Sequence, residues 1–153
     1  MGSPRSTDSS QLSMRHRDVI VDSVGDSLTA EVKYGALRWR LSAEDPDAPD
    51  PVSSFLGALG GCLLMSIRVA ARVRKVNLGA VSVHARANEK GHVKEIKVEL
   101  QVESSADDDQ LQRLVEVAER GCHIRNLIRD EIAFALTLTR TTAFANSGER
   151  KNG

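Results

Sequence analysis

The sequence predicts an α+β domain with a largely antiparallel sheet, and three observations carry that prediction. Short runs alternating apolar and polar residues bracket segments with helical spacing. Brief Gly-containing connections join the strand runs. One long apolar segment, opened by a proline, sits near the middle of the chain. The expected element order is βββ-α-ββ-α-α-β, with strands grouped rather than alternating singly with helices.

Three strand-like runs come first: Asp18–Asp22, Ser27–Lys33 and Ala36–Leu41. In the third, Leu37, Trp39 and Leu41 share one face and Arg38 and Arg40 the other. Gly25 and Gly35 fall in the short connections, as hairpin loops require. An antiparallel meander is expected. Residues 43–51 then break all periodicity with three prolines and four acidic residues. Asp50-Pro51 reads as an N-cap followed by proline at the first helical position. The expected helix runs from about Val52 to Lys75, with Phe55, Leu59, Cys62, Leu63, Ile67, Ala70 and Val73 at helical spacing. Arg68, Arg72, Arg74 and Lys75 gather toward its C-terminal end and suit the negative end of its dipole. Gly57, Gly60 and Gly61 each cost about 1 kcal/mol relative to Ala inside a helix. Close approach of another helix backbone is the expected compensation.

Two further strands are expected at Ala80–Ala87 and Val93–Glu103, turning at Lys90-Gly91. A second helix should begin near Ser105, whose spacing to Asp108 matches a capping box, with Leu111, Leu114, Val115 and Ala118 as its apolar stripe. Gly121 interrupts it, a short helix follows from His123 to about Arg129, and Ala133–Arg140 forms the last strand. The folded part is expected as one domain over residues 15–142. The Ser-rich stretch 1–14 and the stretch 143–153 are expected to be disordered tails.

Lys+Arg and Asp+Glu both number 21, so no basic excess supports general nucleic-acid binding. Aromatic residues are only 3%, too few for a base-stacking platform. No apolar run is expected to reach the roughly 20 residues that cross a bilayer. The first residues lack the apolar core of a signal peptide, so a cytoplasmic location is expected. Two cysteines are too few for a disulfide scaffold or a four-cysteine zinc site. In the cytoplasm, a disulfide between them would be transient and catalytic more often than structural.

Those cysteines are the candidate chemistry. Cys62 lies mid-helix in LGALGGCLLMS, where a small buried hydrophobe and a functional thiol are both open readings. An apolar mid-helix site should raise its pKa, so that a nearby cation would be needed for ionisation near neutrality. Cys122 lies in ERGCHIRNL, past a Gly break and between Arg120 and Arg125. A cysteine at a new helix N-terminus beside cations should have a lowered pKa, and it stands open between reactive and incidental thiol. They are 60 positions apart on separate helices, and nothing in the spacing brings them together. The phosphate-loop, H-E-x-x-H and G-x-S-x-G patterns do not occur. His16, His84 and His92 read as exposed polar residues, and Cys122-His123 alone makes a poor zinc site. No metal is expected.

The segment Pro51 to Cys62, ending SSFLGALGGC, resembles the first cysteine motif of the OsmC/Ohr family, the osmotically inducible protein C and organic hydroperoxide resistance proteins. AERGCHIRNLI resembles the second. With the element order, the resemblance covers about residues 18–140. It implies an OsmC-like fold, an intertwined homodimer packed through its long helices, and no cofactor. It also implies thiol-dependent reduction of organic hydroperoxides: Cys62 attacks the peroxide, Cys122 resolves, and a dihydrolipoyl-type dithiol restores the thiols. Val52, Phe55, Leu59 and Leu63 are then the expected apolar substrate-binding residues. The chain departs from the pattern at Val52, where an acidic residue is expected. It also has no arginine in Val19–Thr29, and His123 stands where proline is common. Slow, alkaline-favoured turnover is therefore expected. The alternatives are an OsmC-fold protein that binds a small apolar ligand or senses oxidants without efficient turnover, and a structural dimer with incidental cysteines.

Overall fold

The computed structural model describes residues 16–141; both expected tails lie outside the described residues. These residues form two units that divide between Asp50 and Pro51.

The first unit is the expected meander. Strands β1 (Ile20–Ser23), β2 (Thr29–Tyr34) and β3 (Leu37–Ser42) pair antiparallel in the order β1-β2-β3. Gly25 and Gly35 turn the chain at φ +59° and +56°, a region that costs L-residues with a Cβ. Thr29 to Tyr34 pair with Ser42 to Leu37, which puts Val32 opposite Trp39 and Glu31 opposite Arg40. Arg38 donates to the carbonyls of Gly35 and Leu37 at 3.0 Å, so its guanidinium serves the turn. Trp39 stays 43% exposed and Leu37 63%. The acidic loop winds around buried Ser42, whose hydroxyl accepts the N–H of Glu44 and Asp45 at 3.1 and 2.9 Å.

The second unit opens with α1 (Pro51–Arg74), which starts on the proline as expected. Its buried residues are Leu59, Gly60, Leu63, Ile67, Ala70 and Ala71, the central part of the expected stripe; Phe55 and Val73 at its ends are exposed. The helix stops at Lys75, which takes φ +56°. The N–H groups of Lys75 and Val76 return to the carbonyls of Arg72 and Ala71, the double closure of a Schellman end. Within the chain, a Cβ at Gly60 would meet the Val83 side chain at 3.4 Å, so its neighbour there is a strand, and a Cβ at Gly57 or Gly61 would meet nothing within 4 Å beyond its own helix turn.

The length of α1 corrects an expectation. By length and composition α1 does suffice to cross a bilayer, with an 18-residue window at mean hydropathy 1.6, of which 28% is buried in the chain. Its first charge is Arg68, so Ser, Gly and Ala fill the gaps between larger apolar residues without breaking the run. Its buried face packs on α2 and β4, described next.

Strands β4 (Val81–Lys90) and β5 (His92–Glu103) form a hairpin turning at Gly91, and β6 (Ala133–Thr141) joins β5. The order is β4-β5-β6. β4 and β5 are antiparallel but β5 and β6 run parallel, because a helical crossover separates them and returns the chain to its starting end. That crossover contains α2 (Asp108–Gly121) and a 3₁₀ turn, Arg125–Leu127. The expected Ser105 cap is replaced by Asp107, whose carboxylate accepts from the Gln110 N–H while the Gln110 side chain answers the Asp107 N–H. Ser104 is buried one turn earlier, donating to the Asn77 carbonyl and accepting from the Ala106 N–H, which delays the helix start. The expected short helix from His123 shrinks to the three-residue 3₁₀ turn.

Helices and sheet share one apolar layer in two clusters. The first joins Ile67, Ala70 and Ala71 of α1 to Leu100 and Val102 of β5 and to Leu111, Leu114, Val115 and Ala118 of α2. The second joins Leu59 and Leu63 to Ile96, Val98, Cys122 and Ile128. The second cluster holds the thiols.

Candidate functional site

Cys62 and Cys122 meet. The chain brings them together because α1 packs on α2, and because α2 ends directly at Cys122. Cys122 is the C-cap residue, extended at φ −77° and ψ 111°, with its N–H bonded to the Glu119 carbonyl. It is completely buried, while Cys62 is partly exposed. Both are free thiols, and the Cys122 S–H donates to the Cys62 sulfur.

The peptide after Cys122 folds tightly over the pair. The Asn126 N–H returns to the Cys122 carbonyl at 3.2 Å, and the Asn126 side chain donates to the Arg120 carbonyl at 3.1 Å. This curvature turns successive backbone N–H groups toward sulfur. Those of Ile124 and His123 reach Cys62, and that of Arg125 reaches the Cys122 sulfur at 3.4 Å. Such a run of convergent N–H groups is an anion-binding concavity. Ser66, one turn beyond Cys62 on α1, adds a hydroxyl to the Cys62 sulfur.

These contacts reverse both acidities expected from sequence. Burial pushes the Cys62 thiol up, but the N–H groups of Ile124 and His123, the Cys122 thiol and the Ser66 hydroxyl together bring it below its ordinary value. Burial likewise pushes the Cys122 thiol up. There the N–H groups of Arg125 and Ile124 do not offset burial plus the negative charge on Cys62, so it lies above its ordinary value. The cation thought necessary for Cys62 is replaced by backbone dipoles. Of the two cations beside Cys122, Arg125 is engaged elsewhere: it pairs with Glu119 at 3.3 Å and lies 4.0 Å over the Phe134 ring.

An apolar cavity of 340 Å³ opens beside the cluster, between the start of α1 and the hairpin end of β4 and β5. Val52 and Phe55 line it with Leu56, Ile96, Ile128 and Ile132. Leu59 and Leu63 do not; they are fully buried in the core that supports both sulfurs. Leu56, Ile96 and Ile128 therefore belong at once to the cavity wall and to the thiol cluster. They carry no chemical group, and the signal that could have found them was burial pattern alone. A larger groove of 440 Å³ follows the glycine face of α1 past His84 and Val83, with a more polar lining, and neither cysteine lines it or the apolar cavity. Among the described residues no group of three His, Cys, Asp or Glu side chains could hold a metal. His84 and Glu99 stand 3.8 Å apart on the exposed sheet face.

A family model described as OsmC-like protein matches residues 44–137. An uncharacterized protein of Haloferax volcanii is 27% identical over 116 residues, 74% of this chain and 88% of that protein. The fold is similar to that of an OsmC-like protein from Mycoplasma pneumoniae, with a TM-score of 0.77 at 12% identity over 83% of this chain and 98% of that one. It is also similar to an organic hydroperoxide resistance protein from Elizabethkingia anophelis, with a TM-score of 0.71 at 18% identity over 85% and 99% of the two chains.

Proposed function

The chain belongs to the OsmC-like protein family, and on that premise we propose that it reduces organic hydroperoxides with Cys62 as nucleophile and Cys122 as resolving thiol. The observation that carries this reading is the asymmetry of the pair: one acidic, partly open sulfur receives a hydrogen bond from one buried, less acidic thiol. The Cys62 thiolate attacks the distal peroxide oxygen; the S–O bond forms, the O–O bond breaks, and the alkoxide leaves as the alcohol after taking a proton. The Cys122 thiol then attacks the sulfenic sulfur, forming the disulfide and releasing water. A dithiol of dihydrolipoyl type reduces that disulfide by two exchange steps, ending in its own disulfide.

The apolar cavity supports a bulky apolar hydroperoxide over hydrogen peroxide, since each buried methylene contributes about 0.8 kcal/mol. Val52 and Phe55 bind the substrate at its mouth, and Leu59 and Leu63 act from behind by fixing the sulfurs. The chemistry needs no metal or organic cofactor. Met65, Val69 and Val73 are 59–72% exposed along one side of α1, which supports a homodimer covering that stripe. Sedimentation equilibrium at micromolar concentration should then give twice the chain mass. Burial of the opposite side of α1 against α2 and β4 supports a core helix in a cytoplasmic protein.

The deciding experiment is thiol titration of the reduced protein before and after one equivalent of cumene hydroperoxide. Loss of both thiols, with a Cys62–Cys122 disulfide by peptide mapping, is expected. Retention of both thiols would favour the second reading, a binder of small apolar ligands or an oxidant sensor without efficient turnover. That reading draws on Val52 in place of an acid and on the lack of any cation among the groups bonded to Cys62.

A further inference from the structure

Arg125 makes contacts that the peroxide chemistry does not use. Its Nε donates to the Glu119 carboxylate in the last turn of α2 at 3.3 Å. Its guanidinium carbon lies 4.0 Å from the centroid of the Phe134 ring on β6. Its backbone N–H holds the Cys122 sulfur, and its carbonyl accepts the Ile128 N–H at 3.1 Å. One residue thus ties the end of α2, the turn and the sheet together, with its side chain 27% exposed. The two N–H groups that reach Cys62 belong to the residues immediately before it.

We propose that Arg125 is a positioning residue: the Glu119–Arg125–Phe134 clamp fixes the peptide at His123 and Ile124 so that its N–H groups face the Cys62 sulfur. The proposal concerns the thiol pair of the peroxidase reading, but it rests on the resting geometry and requires no peroxide. Arg125 does not itself bond to Cys62. Backbone N–H groups stabilise an anion only while their direction is held, because the bond weakens steeply away from linearity. A loose turn would give the same residues and few of the bonds.

The competing account is simple charge, in which the guanidinium favours a thiolate through space. The other charged or titratable groups from the last turn of α2 to β6 are Glu119, Arg120, Cys122, His123, Arg129, Asp130 and Glu131, all exposed except Glu119 and Cys122. From β4, β5 and β6 the cluster receives Val83, Ala85, Ile96, Val98 and Phe134. From α1 the polar neighbour is Ser66. Glu119 therefore separates the two accounts by sign. Removing its carboxylate leaves Arg125 more effective as a free charge but releases the clamp.

The test is the pH dependence of Cys62 alkylation by iodoacetamide, read by peptide mass spectrometry on the full reduced chain. Arg125→Ala and Glu119→Ala should both slow Cys62 alkylation at pH 7, by about tenfold for a one-unit rise in pKa. Both should approach the unsubstituted rate at pH 10, with Arg125→Lys between. Faster alkylation in Glu119→Ala would overturn the clamp in favour of charge. A Cys62 profile unmoved in both variants, with only the melting temperature lowered, would reduce Arg125 to a structural role. If Arg125→Ala does not fold, Glu119→Ala decides by the same sign, since alanine suits that helical site. Failure of peroxide turnover would remove the proposed function without touching this result.

Discussion

The two cysteines occupy the same apolar cluster yet behave as opposites. Cys62 sits inside a 24-residue helix, where its own backbone N–H is committed to the helix ladder and no donor comes from its immediate neighbours in sequence. Cys122 sits at the end of a helix beside two arginines. By local setting the second should be the acidic thiol and the first inert. The reverse holds: each sulfur takes two backbone N–H groups from the turn where α2 stops, but Cys62 also receives the Cys122 thiol and the Ser66 hydroxyl, while Cys122 is the more deeply buried. Cys122 supplies the turn, and its N–H groups serve both sulfurs. A thiol's acidity thus follows the number and direction of donors reaching the sulfur, and those can originate far away in the chain.

The largest effect should come from exchanging the two roles. Cys62→Ser should lower hydroperoxide reduction by at least about 100-fold, as expected when a nucleophile is lost. Cys122→Ser should keep the first, single-turnover oxidation of Cys62 and then halt, accumulating sulfenic and later sulfinic acid at Cys62. Stopped-flow peroxide consumption followed by mass spectrometry checks both. Equal first-turnover rates in Cys62→Ser and the unsubstituted protein would break the asymmetry.

Much of the fold was legible because it is written locally. Alternation over residues 81–87 and 96–102, helical spacing over residues 55–73 and the Asp50-Pro51 start each needed only near neighbours. What was not legible depends on distant partners. The parallel pairing of β5 with β6 is set by the return path of the crossover. The helical stripe meets two different surroundings for a geometric reason. Val52 to Leu63 spans about 16 Å of helix axis, at about 1.5 Å per residue, enough to carry its two ends into different surroundings. The same stripe therefore lines the cavity at Val52 and Phe55 and enters the core at Leu59 and Leu63. The cysteines could be picked out by type and setting, but their contact and their acidities could not.

A smaller effect sharpens the comparison on the α1 side. Ser66→Ala removes one donor from Cys62 and leaves Cys122 with its own N–H donors. A typical hydrogen bond is worth about 1 kcal/mol, so the thiolate fraction at neutral pH should fall by about fivefold. Cys62 alkylation at pH 7 should slow accordingly, and restoring a hydroxyl with Ser66→Thr should recover part of it. An unchanged rate would assign the acidity of Cys62 to the turn alone.

The smallest expected effect is on stability in alkali, where the two thiols should pull in opposite directions. Because the folded pKa of Cys62 is depressed, between that value and the ordinary thiol pKa the unfolded chain binds more protons at this site than the folded one. Stability therefore rises with pH in that window, and the contribution is lost as pH falls back through the folded pKa. Cys122 has a raised folded pKa, so above the ordinary thiol value the folded chain binds more protons there. Its contribution is fully present below that value and is lost as pH rises through the folded pKa. Urea midpoints of the reduced protein should accordingly pass through a shallow maximum near the ordinary thiol pKa. Cys62→Ala should flatten the rising side and Cys122→Ala the falling side, each measured against its own value at pH 7 so that the packing cost of the substitution cancels. Matching slopes in the two variants would mean that the thiols share one acidity, and the division of labour between nucleophile and resolving thiol would lose its electrostatic basis.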